Sequence, residues 1–325
     1  MHITRTSLAC FFFVQQRGRA PYSPPACCLC HARRRRAAEN RRRTACTGYA
    51  GAWNQPNHEG GTTMTTLITG ASGGIGAQLA LLCAQHDDEL LITGRNADKL
   101  AAVKANLERD YHGKVTAITL DLAQPDAADR LEQYTVERHM TIDTLINDAG
   151  FGDWTTFLDM DDDRMRAMMQ VNMVTLAELC HRFGRRMRTR GHGRILNIAS
   201  VAAALPGPYM AMYYATKAFV RSLSVALAYE LRGTGVTCTV VCPGPVSTGF
   251  ERAANMHGRN FFTMVKPSTP QAVARFAYAK MQAGSALAYS GAFAKLTALG
   301  VRGVPTRLAA RCAAYMNGGD PHTSR

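Results

Sequence analysis

Thr65-Thr66-Leu67-Ile68-Thr69-Gly70-Ala71-Ser72-Gly73-Gly74-Ile75-Gly76 decides how the rest of the chain is read. Five β-forming or apolar residues run into a glycine-rich turn, and the turn opens a segment with helical spacing of its apolar residues. Backbone N–H groups at such a helix N-terminus attract a pyrophosphate, which can reach them only where no side chain stands in the way. Gly70, Gly74 and Gly76 form the spacing G-x-x-x-G-x-G, and Ser72, Gly73 and Ile75 complete the surface that a phosphate group would touch. A glycine turn alone often does no more than reverse the chain. Placed between a first strand and a first helix, it marks the start of a nucleotide-binding strand–helix unit.

Working outward, short β-branched runs alternate with helical patterns. Strands are expected at Thr65–Thr69, Glu89–Thr93, Lys114–Leu120, Ile142–Asn147, Gly193–Ala199 and Val236–Cys242. Helices are expected at Gly74–His86, Ala97–Asp110, Asp126–His139, Asp161–Arg190, Met212–Arg232 and near Pro270–Gln282. This alternation predicts an α/β fold, a doubly wound, Rossmann-like parallel sheet with helices on both faces, in a single domain over residues 64–285. Residues 286–325 read as short apolar-basic helices around Pro305 and a tail. No repeat is present, and no apolar run reaches membrane-spanning length.

The chain has 325 residues, 46% of them apolar, and a formal charge of +14. Residues 1–63 hold ten arginines against two glutamates, so the remaining 262 residues carry a net charge of only +6. The basic balance therefore belongs mostly to a leader, and no nucleic-acid partner is expected for the folded part. Leu8 to Val14 is too short to span a membrane, and the arginine runs Arg33–Arg36 and Arg41–Arg43 predict disorder. A transit peptide, a basic arm, or an upstream extension from too early a start each fit this leader. Met64, directly before the first strand, favours the extension. Cys27, Cys28 and Cys30 lack a second ligand pair at zinc-site distance, so no metal is expected, and the later, scattered cysteines read as buried thiols in the cytoplasm.

The second strand ends at Thr93-Gly94-Arg95. An acidic residue there would accept hydrogen bonds from the ribose hydroxyls of NAD, whereas Arg95 offers a fork of donors to a 2′-phosphate. NADP(H) is thus expected over NAD(H). Asp121, after the third strand, can reach an adenine amino group, with Leu122 beside it on the same candidate surface. Asn147-Asp148-Ala149-Gly150 ends the fourth strand with small residues where a cofactor must pass, making Asn147, Ala149 and Gly150 candidates for contact.

In Tyr213-Tyr214-Ala215-Thr216-Lys217, Tyr213 and Lys217 stand four apart on one helical face. A phenol with an ordinary pKa of about 10 is a poor base at neutral pH, and lowering it by about three units takes about 4 kcal/mol of anion stabilisation. A neighbouring ammonium is one source of it. Ser200, thirteen positions before Tyr213, can donate a hydrogen bond to a developing alkoxide. Asn172 could hold a water for proton relay through its amide, or could instead bend its helix by local bonding.

Read together, TGASGGIG, NDAG, the Asn172 helix, Ser200, YYATK and PGPVST occur in order between Thr65 and Phe250, and the chain there resembles the single-domain short-chain dehydrogenase/reductases. The resemblance implies hydride transfer at nicotinamide and a catalytic tetrad of Asn172, Ser200, Tyr213 and Lys217. It also implies that Tyr213 and Lys217 touch the cofactor, Lys217 at the nicotinamide ribose, and that Val246 and Thr248 bind the carboxamide. A homodimer or homotetramer, paired through the Asp161–Arg190 and Met212–Arg232 helices, is expected from it. Asp148 departs from the family, which usually has asparagine there.

Leu205, Pro206, Met210, Phe250, Phe261 and Phe262 would line an apolar pocket, or else pack as core and loop residues. The expected reaction is reduction of a carbonyl, or oxidation of an alcohol, on an apolar small molecule. A 3-oxoacyl-thioester reductase is the alternative within catalysis, and a non-catalytic NADP(H) sensor the alternative outside it. The C-terminal helices could make weak peripheral contact with a membrane.

Overall fold

Leu67, Leu91, Leu145 and Ile195 form one row across the sheet, and Ile68, Ile92, Ile146 and Leu196 form the next. Successive side chains of a strand point to opposite faces, so the two rows build two cores. The first row packs with Leu131, Leu179, Phe183 and Val220, and the second with Leu79, Leu100 and Val273. Burial on both faces is what an all-parallel sheet requires, and it explains why these strands are almost uninterrupted apolar runs.

The computed structural model describes residues 64–319 apart from Asp87, His112, Gly113, His257 and Arg259. The expectations for the leader over residues 1–63 lie outside the described residues. Seven parallel strands, β1 (Thr65–Thr69), β2 (Glu89–Gly94), β3 (Val115–Thr119), β4 (Ile142–Asn147), β5 (Gly193–Ile198), β6 (Val236–Pro243) and β7 (Leu287–Ser290), lie in the order β3-β2-β1-β4-β5-β6-β7. Helices α1 (Gly74–Ala84), α2 (Ala97–Tyr111) and α9 (Pro270–Gln282) supply the second core, and α3 (Ala127–Glu137), α5 (Leu176–Arg190) and α6 (Ala211–Glu230) the first. This is the doubly wound, Rossmann-like sheet. Its strand order reverses between β1 and β4, where loops leaving the carboxyl ends of neighbouring strands diverge and open a crevice.

Two expectations need correction. Residues 286–325 are not only short helices and tail, because β7 adds a seventh strand beside β6. Four residues at a sheet edge carry too little periodicity to stand out. The expected helix Asp161–Arg190 is also interrupted: α4 (Asp162–Met169) passes into a π-helical segment, Gln170–Thr175, before α5 begins. Asn172 lies in that segment. Small helices α7 (Phe250–Ala253) and α8 (Phe261–Met264) follow β6, and α10 (Ala292–Gly300) and α11 (Thr306–Met316) follow β7. Among the described residues, no helix is long and apolar enough to cross a membrane.

Candidate active site

A cavity of about 750 Å³ opens along the carboxyl ends of the strands. Gly70, Ser72, Gly73, Gly74 and Ile75 line it, with Arg95, Asp121 and Leu122 towards one side and Ala149, Gly150, Ser200, Tyr213, Lys217, Val246 and Thr248 completing the wall. The glycine turn has the shape that a pyrophosphate needs. Gly70 adopts φ +73°, and a Cβ there would stand 2.7 Å from the Ala149 backbone nitrogen, so only glycine fits. A Cβ on Gly73 would meet nothing within 4 Å, which leaves open space above the N-terminus of α1. Gly76 has another part to play: it does not line the cavity, and a Cβ on it would lie 2.6 Å from the Gly70 carbonyl oxygen. Its absent side chain lets helix and turn close together.

Arg95 is exposed at the cavity rim, and so are Asn96 and Lys99 on the following turn. Asn96 accepts a hydrogen bond from the Lys99 backbone N–H at 2.8 Å, fixing the start of α2 and with it the position of Lys99. Two cations, Arg95 and Lys99, therefore line this part of the cavity, and sequence reasoning singles out only Arg95.

Asn147 does not reach the cavity. It is buried in β4, where its Nδ2 donates to Asn197 Oδ1 at 2.9 Å, and Asn197 in turn donates to Ser224 Oγ at 2.9 Å. These amides fasten β4, β5 and α6 beneath the site, which corrects the expected cofactor contact. Asn172 is likewise fully buried. Its Nδ2 donates to the Phe151 carbonyl at 2.9 Å and to Thr216 Oγ1 at 3.0 Å, while its Oδ1 accepts the Phe151 N–H at 3.1 Å. With both amide N–H groups engaged, the side chain pins the loop after β4 to α6, in place of the expected water relay through the amide. The π-helical turn lets it face that loop.

Ser200, Tyr213 and Lys217 line the same cavity. The Ala202 N–H donates to Ser200 Oγ at 3.1 Å, and the Ser200 hydroxyl favours the ionised form of the Tyr213 phenol. Lys217 donates from Nζ to the Ile198 carbonyl at 2.9 Å and lies 5.9 Å from the centre of the Tyr213 ring. Burial pushes the Tyr213 phenol above its ordinary range, against the lowering effect of the Ser200 bond. The depression expected from Lys217 is thus not supplied by the protein alone. Burial also lowers the Lys217 ammonium to about 8, opposed by the nearby Asp148 carboxylate. Asp148 is itself pushed up to about 7 by burial, against the charge of Lys217 and a hydrogen bond from the Gly76 backbone. The acid that replaces the usual asparagine is therefore electrically coupled to the reactive end.

Beyond Tyr213 the cavity becomes apolar. Met210, Phe250, Phe261 and Phe262 line it, together with Phe151 and Met256, whereas Leu205 and Pro206 do not. The Tyr213 and Phe250 rings are 5.0 Å apart, and Phe250 and Phe262 are 6.0 Å apart. Gly152 makes room for this cluster, since a Cβ there would lie 2.7 Å from Phe250 Cζ. The C-terminal segment adds Asn317, which sequence reasoning missed. It accepts from the Tyr214 hydroxyl at 2.9 Å and donates to the Pro208 carbonyl at 2.8 Å.

The pattern described as short chain dehydrogenase matches residues 64–258. The chain is 33% identical over 206 residues to the uncharacterized oxidoreductase YvrD of Bacillus subtilis, covering 62% of this chain and 77% of that protein. It is 34% identical over 186 residues to the ketoacyl reductase HetN of Nostoc sp., covering 57% and 64%. Among solved structures, a short-chain dehydrogenase from Sphingobium yanoikuyae in complex with NADPH superposes with a TM-score of 0.66 at 28% identity, covering 74% of this chain and 93% of that one.

Proposed function

Since the chain belongs to the short chain dehydrogenase family and is an oxidoreductase, we propose that it reduces a carbonyl, or oxidises an alcohol, on an apolar small molecule with NADP(H), using Tyr213 as acid/base. The observation that carries this reading is the joining of Ser200, Tyr213 and Lys217 in one cavity that Arg95 and Lys99 also line. When bound, the nicotinamide supplies or accepts the hydride. The chain does the rest. Gly70, Gly73 and Gly74 leave room for the pyrophosphate, while Val246 and Thr248 lie on the wall assigned to the carboxamide. Ser200 donates a hydrogen bond to the substrate oxygen, and Tyr213 delivers or removes the proton there. Lys217 holds the ribose and contributes positive charge. Asn172 acts as a positioning residue through Phe151 and Thr216.

The apolar walls around Phe250 and Met256 favour a ketone with apolar substituents. A 3-oxoacyl thioester belongs to the same carbonyl class, and the relationship to a ketoacyl reductase makes it the second compound class to test. NADPH oxidation screened against ketones, aldehydes and acyl thioesters decides the substrate. Stoichiometric NADPH binding with no turnover on any of them would return the chain to the sensor reading.

Arg95→Ala tests the cofactor. Charge-assisted bonds to a 2′-phosphate contribute about 1.5–3 kcal/mol, so NADPH affinity should fall about ten- to a hundredfold while NADH affinity stays put. Paired titrations measure it, and equal losses for both cofactors would refute the assignment. Lys99, on the same rim, would keep the loss near the lower figure.

Asp148→Asn tests the coupling to Lys217. Asp148 raises the Lys217 pKa from the depressed position that burial imposes, so removing its charge lowers that pKa further. The alkaline limb of kcat/KM, where the ammonium is lost, should move to lower pH. An alkaline limb that stays in place or moves upward would show that the two groups do not communicate.

We place the enzyme in the cytoplasm, as the free, buried thiols of Cys83, Cys180, Cys238 and Cys242 favour a reducing compartment. Val174, Val225 and Tyr229 are exposed on the helices expected to pair, which supports a homodimer or homotetramer. Light scattering measures it.

A further inference from the structure

The last part of the chain has an unusual charge balance. From Arg252 to Gly319 it carries nine lysines and arginines and not one aspartate or glutamate. Four of them, Lys295, Arg302, Arg307 and Arg311, are exposed on α10, α11 and the turn between. Large apolar side chains stand exposed among them: Leu296 is 68% exposed, Leu299 66% and Leu308 50%.

The amphipathic pattern of these helices is inverted relative to one that faces a protein core. In α11 the residues turned inward are Ala309 and Ala313, while Leu308, Arg311 and Tyr315 recur at helical spacing on the outside. In α10 the buried residue is Ala294, and Leu296 and Leu299 face out. Small residues, with Phe293 of α10, seat the two helices, so the exposed Leu296, Leu299 and Leu308 do little for the fold. Leucines interleaved with basic residues on an exposed face suit the boundary of a bilayer, where apolar side chains enter the acyl region and cations meet anionic headgroups.

We propose that α10 and α11 form a docking surface for an anionic lipid bilayer. A second copy of this chain fits the surface poorly, because two such faces would bring positive charges together with no acid between Arg252 and Gly319 to offset them. The same helices reach the substrate end, since Phe293 packs on Phe261 with ring centres 5.0 Å apart and Asn317 holds Tyr214. Vesicle binding is nevertheless a property of the surface, whatever carbonyl compound the cavity takes.

The test is co-sedimentation of the full chain with vesicles of phosphatidylcholine alone or mixed with phosphatidylglycerol. The chain should sediment with the mixed vesicles and stay in solution with the neutral ones. Two variants, Leu296→Ser with Leu299→Ser and Leu308→Ser, and Arg302→Gln with Arg307→Gln and Arg311→Gln, should each lose about tenfold or more in apparent affinity. NADPH binding reports that the variants are folded. Failure of the full chain to sediment would overturn the proposal. So would binding that persists in both variants, which would assign it to the arginine-rich leader. Unchanged vesicle binding accompanied by a smaller oligomer would assign the face to a second copy.

Discussion

Tyr213→Phe should bind NADPH within a few-fold of the parent and lose about 10²–10⁴-fold in turnover, the usual contribution of general acid/base catalysis. Only an oxygen is removed. The ring keeps its neighbours, Phe250 at 5.0 Å and Tyr214 at 6.2 Å, so packing and the cofactor wall survive. On the proposed mechanism, what disappears is the proton that Tyr213 would exchange with the substrate oxygen. Because burial holds this phenol above its ordinary range, it is protonated throughout neutral pH. The protein alone is therefore set as an acid, the state that carbonyl reduction needs, and the oxidative direction should accelerate as pH rises. Tyr214→Phe is the control. It loses the hydrogen bond to Asn317, at a cost in stability of about 1 kcal/mol, but not the acid/base group. If Tyr214→Phe abolished turnover and Tyr213→Phe kept it on a confirmed substrate, the assigned register on α6 would be wrong.

The parts of this site legible in the sequence are those whose chemistry demands a local spacing. A phosphate cradle needs glycines between a strand and a helix, and Tyr213 and Lys217 need one helical face, so both show in a dozen residues or fewer. The sheet was equally legible, because strands buried on two faces have nearly continuous apolar runs. Asn147 is expected at the cavity because it ends a strand beside it, and Asn172 because the family resemblance places it in the tetrad. Position along the chain says nothing of which way an amide turns, and both turn into the protein. Asn317 joins Tyr214 across 103 positions, a contact that no local pattern announces. Lys99 was hidden for a milder reason: a lysine on the first turn of a helix is ordinary until the fold places it beside Arg95.

Lys217→Met should be at least as damaging to turnover as Tyr213→Phe, with a loss of about 10²–10⁴-fold or more, and it should weaken NADPH binding as well. The substitution keeps most of the side-chain volume but removes both the donor to the Ile198 carbonyl and the charge at the reactive end. It also leaves the half-buried Asp148 carboxyl without its countercharge. Asp148 already has its pKa raised to about 7 in the folded chain. Its stabilising contribution is therefore complete below the unfolded value of about 3.9 and is lost as pH rises through 7. Without Lys217 to draw it down, the carboxyl is pushed higher still, so Lys217→Met should melt further below the parent at pH 8 than at pH 5. Combining it with Asp148→Asn removes the orphaned charge, and the melting temperature at pH 8 should recover. Turnover should not. That division separates the two parts Lys217 plays, because a merely structural lysine would regain activity together with stability. Recovery of turnover in the double variant would exclude Lys217 from the reaction, and a melting deficit that ignores pH would exclude Asp148 as its partner.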